Sequence, residues 1–154
     1  MAIYDDLNSL DDWLLRQAID QAEQGISIED QLIPQTVAML GQPNVYLYAT
    51  ALFDGEVGNG GIQQFLNNSS GALALTVRDA LQDMLLPEYA GIMSRIIDTF
   101  GASFPVSQLD RMDRIDGDPE LQIILDEAHE AVDVWSSDYI LARERYAKKN
   151  HLLK

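Results

Sequence analysis

Apolar residues along the chain recur at spacings of three and four, and runs of strict alternation between β-branched and polar positions do not repeat. That period places side chains on one face of a helix, so the pattern predicts an all-α protein. Glycine and proline divide it. The breakers are Gly25, Pro34, Gly41-Gln42-Pro43, Gly58-Asn59-Gly60-Gly61, Gly71, Pro87, Gly101, Pro105 and Gly117-Asp118-Pro119. Between them lie about seven or eight segments of helical length, which suits a compact single-domain bundle over residues 1–154.

The first segment runs from about Leu7 to Gln24 and stops at Gly25, with Leu7, Leu10, Leu14, Ala18 and Ala22 on one face. Ser27-Ile28-Glu29-Asp30 resembles a capping box with Asp in the place of Glu, and Pro34 limits or restarts that second segment. A third segment opens at Pro43 and carries Val45, Tyr48, Ala49, Leu52 and Phe53; a short fourth covers Gly61–Asn67. The fifth spans about Ala72–Leu86. Pro87 opens the sixth, which ends near Gly101, and the seventh is a polar stretch over roughly Val106–Ile115. The last begins at Asp118 with Pro119 at the first helical position. Its stripe is Leu125, Ala128, Val132, Trp135, Tyr139, Ala142 and Tyr146, expected in the core, with an interruption at Ser136-Ser137.

Charge changes this picture. The chain holds 25 acidic residues against 10 basic ones, a net charge of -15. Direct binding to nucleic acid or an anionic membrane is therefore disfavoured, and basic proteins or cations are the natural partners. A hydrophobic content of 47% separates the chain from a disordered acidic tail. The acidity is uneven. Residues 1–30 hold eight acids and one Arg, whereas residues 143–154 hold Arg143, Arg145, Lys148, Lys149 and Lys154 against Glu144 alone. Candidate partner-binding carboxylates are Asp5, Asp12, Asp20 and Glu23 on the first helix. A second stripe comprises Asp110, Asp113, Asp116, Asp118, Asp126, Glu127, Glu130 and Asp133, with Glu120 beside it. Arg111 and Arg114 dilute that stripe or pair with neighbouring acids.

Catalytic chemistry finds little support. With no cysteine, disulfides and thiolate chemistry are absent. His129-Glu130-Ala131-Val132-Asp133 lacks the second histidine of a zinc helix, and Asp126 with His129 makes only half of a di-iron carboxylate set. Gly58-Asn59-Gly60-Gly61 has no following Lys-Ser/Thr at phosphate-loop spacing and reads as a tight turn needing positive φ. We expect no cofactor, no metal and no enzymatic activity. The start of the chain lacks the charged and apolar regions of a signal peptide, and no apolar run approaches a membrane span, so a cytoplasmic location is expected.

One block is distinctive: Glu56, Asn59, Gly60, Gly61, Gln64 and Phe65, followed by Asn68, Ser69 and Gly71. It resembles the signature of a bacterial family of small domains of unknown function, in which Glu-x-x-Asn-Gly-Gly-Phe-x-Gln-Phe precedes Asn-Ser-x-Gly and a helix. Here Ile62 replaces the usual aromatic and Leu66 stands where a second is common. The family includes an acidic, all-helical, dimeric protein described as a mimic of double-stranded DNA that occupies the DNA-binding face of a transcription factor. The resemblance implies a homodimeric, non-enzymatic DNA mimic whose partner is a basic DNA-binding regulator. The residues of the block themselves read as mainly structural: Asn and Gly permit the turn, Phe65 anchors a short helix, and Asn67, Asn68 and Ser69 cap the next. The alternative is a small ligand-binding or immunity-type module that uses Asn59, Gln64 and Asn68 as a polar pocket, its acidity serving solubility.

Mimicry sets a density requirement. From Asp5 to Glu23 a helix spans roughly 27 Å, along which a DNA duplex carries about 16 charges. The segment offers six acids, so two or more acidic helices, or a dimer, are needed.

Overall fold

The computed structural model describes residues 2–23 and 33–154, with side chains of the first stretch described as far as Gln17. The capping sequence at 27–30, Gly25, and the side chains of Ala18, Asp20, Ala22 and Glu23 lie outside the described residues. The rest folds as eight α-helices: α1 (Leu7–Glu23), α2 (Ile33–Ala38), α3 (Asn44–Asn67), α4 (Ala74–Asp83), α5 (Pro87–Thr99), α6 (Gln108–Gly117), α7 (Pro119–Ala131) and α8 (Ser137–Lys149). A 3-10 turn, Ser69–Leu73, links α3 to α4. Among the described residues the sole β-pairing is an isolated parallel bridge between Tyr4 and Leu153, which ties the two ends of the chain together.

α3 is the hub. It packs against α1, α2, α4, α6 and α7. This explains why its apolar residues surround it instead of forming one stripe: Leu47, Ala49, Phe53, Ile62, Phe65 and Leu66 are all fully buried. Phe53 and Phe65 meet edge to face at 5.1 Å between ring centroids. Each such buried side chain contributes roughly 1.5–3 kcal/mol. From α1, Leu10 and Leu14 enter the same core, as the sequence period requires.

The third and fourth expected segments are one helix broken at the glycines. Pro43 occupies the N-cap, so the helix opens at Asn44, one residue later than expected. Gly60 and Gly61 leave helical geometry, and Gly61 adopts φ 76° and ψ -178°, a region open essentially to glycine alone. The bend turns Gln64 and Phe65 back toward the first half of α3.

Two boundaries differ from expectation for identifiable reasons. The fifth segment ends at Asp83, not Leu86. Leu85 takes the left-handed position (φ 64°) that closes the helix, with Leu86 N donating to Leu81 O at 2.9 Å. That position usually holds glycine, so the sequence carries no stop signal there. The last segment splits into α7 and α8. Asp118 caps α7 by accepting from Glu120 N and Leu121 N at 3.1 Å, and Ser136 caps α8 by accepting from Tyr139 N at 3.2 Å. Val132 is already extended, so residues 132–136 shift the register. Val134 turns inward, and Trp135, expected in the core, is 73% exposed.

Candidate functional site

The residues of the Asn-Gly-Gly block converge on one carboxylate. Glu56 Oε2 accepts from Gln64 Nε2 at 2.6 Å and from Asn68 Nδ2 at 2.9 Å. Glu56 Oε1 accepts from Ser70 Oγ at 3.2 Å, and Asn59 Nδ2 donates to Gln64 Oε1 at 3.0 Å. The amides therefore bond to one another and to Glu56 across the bend. The glycines allow these approaches. A methyl group on Gly60 would sit 2.1 Å from Gln64 Oε1, and one on Gly61 would sit 2.5 Å from His129 Nδ1. Asn68 does stand at the N-cap of the 3-10 turn, but its side chain makes no cap bond because Glu56 engages it, which corrects the capping role expected for it. Ser69 is exposed.

Behind the block lies Arg111, which is fully buried. Its Nε donates to Leu66 O at 2.8 Å, Nη2 to Asn68 O at 2.7 Å, and Nη1 to Pro105 O and Val106 O. The guanidinium thus sits at the carbonyl end of α3, where the helix dipole favours a cation. Gly71 makes room for it, since a methyl there would lie 2.8 Å from Arg111 Nε.

Arg111 is consequently withdrawn from the acidic surface it interrupts in the sequence. Arg114 is engaged by Asp118 at 3.3 Å and by Thr99 O at 2.9 Å. Asp110, Asp113 and Asp116 follow the exposed side of α6, opposite buried Arg111 and Ile115. On α7, Glu120, Asp126, Glu127 and Glu130 are exposed opposite Leu121, Ile124, Leu125 and Ala128. Glu127 pairs with Arg95 at 3.0 Å, both side chains largely solvated. Asp133 lies beyond the end of α7, where its carboxylate accepts from Trp135 N at 2.9 Å, so it does not share a helix face with His129. Backbone N–H bonds, above all from Leu121, hold the Asp118 carboxyl below its ordinary pKa. Among the described residues no group of three or more potential metal ligands forms.

The first-helix acids fare differently. Asp5 pairs with Lys154 in solvent, and Asp12 is exposed. Asp11, however, belongs to a buried cluster that the sequence pattern did not single out. Arg143, 1% exposed, donates from Nη1 and Nη2 to the two oxygens of Asp11 at 2.8 Å each. Its Nη1 also reaches Asp54 Oδ2 at 3.2 Å, Nε reaches Thr50 Oγ1 at 2.9 Å, and Nη2 reaches Leu47 O at 2.9 Å. The sequence hint was an Arg at i+4 from Tyr139 on the buried stripe, which the charge of the C-terminal segment obscured.

Because Asp11 already neutralises Arg143, Asp54 is the surplus carboxylate. Burial, only partly offset by Arg143, pushes it up to about 7. Tyr139, also buried and beside Asp54, is raised well above its ordinary value. For Asp54 the sign is definite. Between its ordinary 3.8 and about 7 the folded chain holds a proton that the unfolded chain releases. Its contribution to stability is therefore complete below the lower value and is lost as pH rises through about 7. Asp54→Asn should flatten that part of the stability–pH curve, relative to the parent, in chemical denaturation at intervals across this window. A variant curve parallel to the parent's would refute the assignment.

The fold and these surfaces define a helical protein with a strongly acidic exterior. A profile of the family described as DMP19-like protein matches residues 40–150, and the chain belongs to that family. No curated protein and no solved structure matches the chain. The matched span includes the Glu56-centred block, α6, α7 and Arg143, and excludes α1. No helix among the described residues is long and apolar enough to cross a membrane.

Proposed function

We propose that this chain is a non-enzymatic DNA mimic that occupies the DNA-binding surface of a basic protein such as a transcription regulator. The observation that carries this reading is the α6–α7 surface. Residues 108–133 hold nine carboxylates and two arginines, and both arginines are taken up: Arg111 by backbone carbonyls in the interior and Arg114 by Asp118. α7 is about 20 Å long, and a duplex presents about 12 charges over that distance. Asp118 and Glu127 pair with Arg114 and Arg95, which leaves seven of the nine carboxylates over the two helices, a little over half the duplex's density; Asp11 and Asp5 near the start of the chain are likewise committed, to Arg143 and Lys154. Family membership supports the same reading through the DNA mimic that the family includes. A homodimer would extend the stripe further.

The test is capture of a basic DNA-binding protein by the chain, with duplex DNA as competitor, at low and high salt. Binding should fall steeply with salt and be displaced by duplex. Asp110→Asn, Asp113→Asn, Asp126→Asn and Glu130→Gln combined should weaken it at least about tenfold, mainly through the association rate. Undiminished binding by the fourfold variant would reject α6–α7 as the contact surface.

A further inference from the structure

A groove of about 490 Å³ lies where α1, α3 and α8 meet the 132–136 linker. Its apolar wall is Leu7, Leu15, Ala51, Val134 and Ile140. Its polar wall is Asp6, Asp11, Asp54 and Glu144, with Arg143 as the one cation lining it among the described residues. Trp135 forms one lip.

Three features separate this groove from a solvated acidic surface. The first is Trp135 itself. A tryptophan 73% exposed leaves a large apolar area in water, yet its position is defined. Its backbone N–H donates to Asp133 Oδ1, and its ring lies over Gly58, where a methyl group would come within 2.9 Å of Cζ2. The second is the imbalance of charge: both oxygens of Asp11 are bonded to Arg143, and Glu144 enters no ion pair among the described residues. The third is Asp54, the surplus carboxylate beside Arg143, whose side chain keeps 27% of its surface exposed where it lines the groove. An arriving guanidinium would favour its ionised form and offset the burial that holds it protonated up to about 7.

We propose that this groove seats an arginine side chain of the basic partner, its aliphatic stem on the apolar wall, its guanidinium at the free carboxylates and its plane against the Trp135 indole. Arginine suits the walls better than lysine because its planar, weakly hydrated head both stacks on an aromatic and bonds carboxylates in pairs. A small anionic ligand is repelled by the same walls. The site rests on the reading of the chain as a binder of basic proteins, and it names a specific anchor within that reading. It also adjoins the α7 surface, because Asp133 at the end of that helix holds Trp135. Buried aromatic and arginine anchors of this kind dominate many interfaces whose charged surroundings set mainly the rate of encounter.

The probe is a blocked hexa-arginine peptide, with hexalysine and a citrulline peptide of equal length as controls, titrated into the ¹⁵N-labelled full chain at low salt. The chain has two tryptophans, and the indole signal lost in Trp135→Ala identifies the relevant one. That signal should shift saturably with the arginine peptide, less with lysine and not with citrulline. Trp135→Ala should weaken arginine-peptide binding about fivefold, in the range of a cation–π contact, while leaving thermal unfolding unchanged because the side chain is exposed. Glu144→Gln should weaken it as well. Equal binding by Trp135→Ala and the parent overturns the groove. If the fourfold α6–α7 variant then loses the peptide, the broader reading stands without it. If instead Trp135 responds as expected while the fourfold variant captures basic protein as well as the parent does, the groove stands and the α6–α7 surface falls.

Discussion

Arg143→Met is expected to lower unfolding free energy by about 3–5 kcal/mol, the cost of breaking a buried ion pair from one side. The substitution preserves most of the apolar stem but leaves Asp11 and Asp54 facing each other with no cation, and leaves Thr50 Oγ1 and Leu47 O without this donor. The loss should be smaller at low pH, where both carboxylates are protonated. Adding Asp11→Asn and Asp54→Asn should recover most of it, because the penalty comes from stranded charge and not from lost packing. Denaturant titrations of the single and triple variants at constant salt measure both quantities. A single variant within about 1 kcal/mol of the parent would show that water compensates the carboxylates, as their partial exposure of 19% and 27% permits in principle.

Arg111→Met is expected to cost about 3 kcal/mol by a different route. The guanidinium donates to the backbone carbonyls of Leu66, Asn68, Pro105 and Val106, so removing it strands those acceptors in the interior. The loss should persist across pH, since carbonyl acceptors do not titrate. Arg111→Lys should recover only part, since one ammonium cannot reach four carbonyls that a planar fork spans. Thermal melts of both variants at acidic and neutral pH decide the point. A loss that vanishes at low pH would mean that a carboxylate, not the carbonyls, is the partner that matters. The two buried arginines thus separate by their pH profiles.

Much of the fold was legible because helical periodicity is local. The spacing of Leu10 and Leu14, the Asp118-Pro119 start of α7 and the Pro87 start of α5 all report on side chains within a turn of one another. Where a boundary depended on a residue in an unusual conformation, local signals failed. Leu85 closes α4 in the left-handed region without a glycine to announce it, and Val132 ends α7 although the apolar stripe continues past it. Trp135 lies outside the core for that second reason: a period of three and four predicts a shared face only while the helix persists.

Composition alone determined that the chain is acidic, and the pattern alone determined that it is helical. Charge sums and short-range periods need no knowledge of distant contacts. Which charges face water was a tertiary outcome. Arg111 and Arg143 count as two of the 10 basic residues in any tally, yet folding places both in the interior, one against carbonyls 43–45 positions away and one against Asp11, 132 positions away. Their withdrawal strips α6 of a counter-charge and removes Asp11 from the α1 surface. The Asn-Gly-Gly block shows the same division. The sequence marked it as a turn, but only the bend at Gly61 brings Gln64, Asn68 and Ser70 onto Glu56, because those bonds join residues 8, 12 and 14 positions apart, beyond the reach of a helical period.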